Sequence, residues 1–67
     1  MTGEELALCL TTIGWSARRL ALLLHIDESQ VRRWLYGRYT IPTHIARWLR
    51  QLAACHKAHP PPPYRLS

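Results

Sequence analysis

The residues best suited to do chemistry in this 67-residue sequence are its arginines. Arg32 and Arg33 are adjacent, and Glu28 and Ser29 stand one helical turn before them. On a helix, that spacing puts all four side chains on one exposed face. A guanidinium carries its donors in a rigid fork that matches phosphate oxygens and the guanine edge. Of the nine Lys or Arg residues all except Lys57 are Arg, and against four Asp or Glu they leave a net charge of +5 with neutral His. The charge is unevenly spread. Residues 1–28 hold Glu4, Glu5, Asp27 and Glu28 against Arg18 and Arg19, whereas residues 29–67 hold Arg32, Arg33, Arg38, Arg47, Arg50, Lys57 and Arg65 with no acid. A polyanion is the partner such a distribution suits.

Other chemistries find weaker support. Cys55, His56 and His59, with distant Cys9, are metal-ligand types, but they lack the paired-cysteine spacing of a structural zinc site. No metal and no cofactor are expected. Cys, His and Asp occur without a nucleophile–base–orienter spacing, so an enzyme is not expected either. A chain of 67 residues has room for one small core, and 48% hydrophobic residues with three Trp argue that it forms one. No apolar run approaches the roughly 18 residues that span a bilayer, and no signal-peptide pattern opens the chain. A cytoplasmic protein without a membrane partner is expected, its thiols reduced, with Cys9 and Cys55 as small core residues.

The arginine face needs helices to hold it. Thr2-Gly3-Glu4-Glu5 reads as a capping box, with Thr2 as N-cap and Glu5 reaching back to it, and it opens a helix over about Glu4 to Ile13. Leu6, Cys9, Leu10 and Ile13 form its apolar face, and Gly14 stops it. Ser16 caps a second helix of about eight residues, with Trp15 as a staple onto Leu20, and with Leu20, Ala21 and Leu24 inward. Asp27 as N-cap, Gln30 at the third helical position and Ile26 packing on Val31 start a third helix, about Glu28 to Tyr36. Val31, Trp34 and Leu35 face the core, Glu28, Ser29, Arg32, Arg33 and Tyr36 face out, and Gly37 ends it. Pro42 suits the first turn of a fourth helix, with Thr40, Ile41 or Thr43 as alternative caps. Its apolar stripe is Ile45, Trp48, Leu49 and Leu52. The expectation is an all-α, four-helix domain over residues 1–57, followed by a proline-rich tail over residues 58–67. Pro60 to Pro63 favour an extended polyproline segment there.

Ser16, Leu20-Ala21, Ile26, Ser29, Val31, Trp34, Gly37 and Pro42 together give Trp15 to Pro42 a spacing that resembles the helix-turn-helix of phage Cro and repressor proteins. With the flanking helices the likeness covers about Glu4 to Leu52. It implies a lambda-repressor-like fold and a small DNA-binding transcriptional regulator, with helix three as the recognition helix in the major groove. The family's base-reading positions correspond to Glu28, Ser29, Arg32 and Arg33. Its backbone-binding positions correspond to Ser16, Ala17, Arg38, Tyr39 and Thr40, with Arg18 and Arg19 as added phosphate contacts. Two residues depart from the family. Ala17 stands where many relatives carry a phosphate-bracing Gln, and His25 stands at the usual glycine of the turn and has to accept a left-handed backbone.

The resemblance further implies an operator-binding repressor, often autoregulatory, of the kind found in phages and mobile elements. One such module reads few base pairs, so a homodimer on a palindromic double-stranded DNA operator is expected. Trp48, Leu52 and Cys55 on helix four are the expected dimer interface. The alternative is a protein-interaction adaptor, or an antitoxin-type partner, built on the same fold.

Overall fold

A computed structural model describes residues 1–59 and 62, and every regular element in it is helical. The elements are α1 (Gly3–Ile13), α2 (Ala17–Leu24), α3 (Glu28–Leu35) and α4 (Thr43–Ala58). The expected four-helix, all-α domain is therefore present. The expected tail begins at residue 58, whereas α4 extends through Ala58. The expected polyproline segment lies outside the described residues except for Pro62.

Two helices begin as their cap residues dictate. Thr2 and Ser16 have extended backbones, and their hydroxyls accept from the amides of Glu5 and Arg19, each at 3.1 Å. Other expectations at the helix starts need correction. Glu5 does not reach back to Thr2. Its carboxylate accepts from Arg50 Nε at 2.6 Å and Nη2 at 3.1 Å, a forked charged pair that outcompetes one neutral amide bond. Asp27 occupies the N-cap position of α3, but its side chain makes no cap bond; the Gln30 amide goes to the Asp27 main-chain carbonyl at 3.0 Å. The cap of α4 is neither Thr40, Ile41 nor Thr43. Pro42 takes that position, and its carbonyl accepts from Ile45 and Ala46 at 3.1 and 3.0 Å.

The first three helices end in one way. Gly14, His25 and Gly37 adopt left-handed backbones, with φ of 84°, 58° and 77°. Behind each, the next amide bonds back five residues: Trp15 to Leu10 at 2.9 Å, Ile26 to Ala21 at 3.0 Å and Arg38 to Arg33 at 3.1 Å. These are Schellman-type closures, which satisfy carbonyls that a helix end leaves open. Trp15 and Ile26 turn inward against the core, whereas Arg38 is exposed. Tyr36 is the C-cap of α3 rather than its last helical residue.

The core is formed where α1 packs on α3 and α4, and α2 packs on α3. Leu6, Leu20, Val31 and Leu49 are sealed at its centre, and each buried side chain of this size is worth about 1.5–3 kcal/mol relative to exposure. Cys9 is buried among them, but Cys55 is exposed, because α4 runs past the body at that point and Ala54 to His59 are all exposed. The stripe of α4 is rotated from the expected one: Ala46 and Leu49 are the buried pair, with Ile45, Trp48, Leu52 and Ala53 packed partly against the core. Among the described residues no single helix is long and apolar enough to cross a membrane.

Candidate nucleic-acid interface

The exposed face of α3 carries the expected base-reading set. Ser29, Arg32 and Arg33 are exposed and Glu28 is half-exposed, while Val31 and Trp34 on the opposite face are buried. Two of the four are not independent. Arg32 Nη2 lies 2.9 Å from Glu28 Oε2, an exposed ion pair across one helical turn. Such pairs are worth only about 0.3–0.5 kcal/mol, so the pairing orients Arg32 without immobilising it. Arg33 is directed differently. Its guanidinium carbon lies 5.8 Å from the centroid of the Tyr39 ring, a cation–π contact.

The loop after α3 is positioned by Gly37. Its left-handed backbone and the Arg38-to-Arg33 bond reverse the chain, so that Arg38, Tyr39 and Thr40 stand exposed beyond the α3 terminus. Arg33 also borders a shallow surface hollow lined by His25, Ile26, Asp27, Ser29 and Gln30. At the start of α2, Arg18 and Arg19 are exposed. Ser16 is exposed too, although its oxygen already accepts the Arg19 amide. Ala17 is half-buried against the core, so at that position only main chain remains to meet a ligand.

The ion pairs among the described residues use Arg32 and Arg50. Arg18, Arg19, Arg33, Arg38, Arg47 and Lys57 are exposed and have no acidic partner there. Pairing with Glu5 holds Arg50 even more firmly protonated than usual, and the same contact pulls the Glu5 carboxyl below its ordinary range. That pair spans α1 and α4 and is structural. At α3 and its flanking loop Glu28 pairs with Arg32, while Arg33 and Arg38 have no ion-pair partner among the described residues.

The expected dimer residues fare differently from one another. Trp48 is half-buried and its ring meets Trp15 at 5.8 Å between centroids, tilted by 46°, so Trp15 finds an aromatic partner on α4 that the staple geometry did not foresee. Leu52 also packs partly against the chain's own core. Cys55 alone of the three is exposed. Among the described residues no cluster of three His, Cys, Asp or Glu is placed to hold a metal ion.

The Glu28–Arg32 pair follows from helical spacing and was open to sequence reasoning. The Arg33–Tyr39 contact crosses an irregular loop, and no periodicity signals it. In comparisons with known proteins, no family model, no curated protein and no solved structure matches the chain.

Proposed function

We propose that the chain is a sequence-specific double-stranded DNA-binding protein that acts as a small transcriptional repressor. In this reading α2 and α3 form a lambda-repressor-like helix-turn-helix, and α3 enters the major groove. The observation that carries it is Arg33: exposed on the outer face of α3, without an acidic partner among the described residues, and backed by Tyr39. Arg33 then reads guanine with its forked donors, Glu28 and Ser29 contact neighbouring bases, and Arg32 joins them on release from Glu28. Arg18, Arg19, Arg38, Tyr39 and Thr40, with the first amides of α2 at Ser16 and Ala17, grip the phosphates and set register. A second copy supplies the other half-site about 34 Å away, one helical turn of DNA. Occlusion of a promoter needs no additional domain, which favours repression over activation.

Selection of bound sequences from a randomised duplex pool tests the reading, followed by a comparison of R33A with R38A. A palindrome is expected. R33A should lose about 1–3 kcal/mol of discrimination at one base pair, while R38A weakens all sequences alike and lowers the salt dependence. Uniform loss in both variants would remove the base-reading role of Arg33. Absence of duplex binding at low salt would remove the proposal as a whole and favour the protein-interaction alternative.

A further inference from the structure

A second surface is chemically unlike the arginine face. α2 and α4 make little direct contact. Between the last turn of α2 and the first turns of α4 lies an open groove of about 430 Å³, lined by Leu23, Leu24, Ile26, His44, Ile45 and Trp48. Five of those six side chains are apolar. Leu23 is 44% exposed at its edge, and Leu22 beside it is 67% exposed. A phosphate backbone needs several charged donors, and the side chains of this lining offer only the His44 ring and the Trp48 indole N–H.

The rim is cationic. Arg19 precedes Leu23 by one turn of α2, and Arg47 follows His44 by one turn of α4; both are exposed and lack an acidic partner among the described residues. Side chains at those spacings are surface neighbours. The acid closest in sequence, Asp27, lines the hollows toward α3 rather than this groove. A second copy placed here would bring cations against cations unless it offered its few acids, and two of those, Glu5 and Glu28, are already paired.

We propose that this groove receives an amphipathic helix of a partner protein, with apolar side chains seated between α2 and α4 and carboxylates meeting Arg19, His44 and Arg47. The mode is that of a helix in a groove, with anchors at helical spacing for affinity and rim charges for orientation. The six lining residues lie outside the base-reading and phosphate-binding sets, and Arg19 on the rim is shared with the proposed phosphate grip, so the discriminating substitutions fall on Leu23 and Arg47 instead.

The probe is a synthetic helical peptide with leucines on one face and glutamates elsewhere, compared with versions carrying glutamine or lysine in place of glutamate. Tryptophan emission reports binding through Trp48 together with Trp15 and Trp34, and amide chemical shifts map the site. The glutamate peptide should bind, moving the amides of Leu23, Ile26 and Ile45. The glutamine version should bind about tenfold more weakly, as loss of two or three rim pairs implies. Leu23→Glu should abolish binding with helix content unchanged. Arg47→Glu, fully on the surface, should weaken the glutamate peptide and strengthen the lysine one. Equal binding of the glutamate and glutamine peptides would overturn the proposal, as would no binding of the glutamate peptide or shifts confined to α3. A dimer in sedimentation that Leu23→Glu dissociates would also overturn it, by assigning the groove to a second copy.

Discussion

Gly3→Ala sets local propensity against packing and lets the structure decide the sign. Gly3 is the first residue of α1, and alanine is the better helix former by about 0.8–1.0 kcal/mol. Judged on propensity, the substitution stabilises. A Cβ at Gly3, however, would lie 2.3 Å from the Leu35 carbonyl oxygen, 2.9 Å from its carbon and 3.0 Å from the Trp34 oxygen. All three atoms are backbone, so no rotamer change relieves the clash, and the start of α1 has to move away from the end of α3. Overpacking of this kind costs about 1–3 kcal/mol, which outweighs the propensity gain. The net expectation is a loss of up to about 2 kcal/mol, against a total stability of about 3–10 kcal/mol for a chain of this length. Thermal unfolding by circular dichroism should show Tm lowered by about 4–8 °C per kcal/mol. Thr11→Ala, at an exposed site of the same helix, serves as the control and should raise Tm slightly. A Tm for Gly3→Ala at or above that of the unsubstituted protein would refute the close approach of α1 and α3.

Three further outcomes follow from other sites. His25→Gly should stabilise by about 0.5 kcal/mol, as relief of left-handed strain slightly exceeds the added freedom of the unfolded chain, while His25→Val destabilises; urea midpoints that rank Val above Gly would contradict the φ of 58°. Because the Glu5 carboxyl is lowered by its Arg50 contact, its contribution is present above the unfolded carboxylate value of about 4.3 and is lost as pH falls through the lower folded value. Glu5→Gln should flatten that acid limb, and an unchanged Tm-versus-pH profile would dismiss the pair's role. A thiol reagent should label Cys55 rapidly and Cys9 only on unfolding, since burial both shields Cys9 and raises its thiol pKa; equal rates would place Cys9 outside the core.

Most decisions made within a few residues were displayed in the sequence, although Asp27 makes no side-chain cap bond and Pro42 rather than a neighbouring residue takes the cap of α4. Thr2 and Ser16 announce helix starts, Gly14 and Gly37 announce stops, and His25 takes the left-handed backbone that its place in the turn demanded. The outward face of α3 was legible for the same reason, because Glu28, Ser29, Arg32 and Arg33 share one helical repeat. Decisions between distant residues were not. Glu5 had two claimants, the local amide of Thr2 and Arg50 lying 45 residues away, and the stronger charged contact won. Trp15 meets Trp48 and Tyr39 meets Arg33 through relative placements of elements that no periodicity encodes. The stripe of α4 was rotated because alanines carry little hydrophobic signal, although Ala46 packs as tightly as its larger neighbours.

The repeated left-handed closures bear on how the domain assembles. Each of the first three helices carries its own reversal, fixed by a hydrogen bond spanning five residues, so the path from α1 to α3 can form without waiting for distant contacts. α3 has to return to α1, where Gly3 meets Leu35, and α4 comes back across the whole chain to pack on α1. Local contacts of this kind belong to domains that fold in microseconds to milliseconds. The Glu5–Arg50 clasp joins residues 45 apart, so loop closure predicts that it forms after the local reversals. Weakening that clasp should hasten unfolding and leave the folding rate almost untouched.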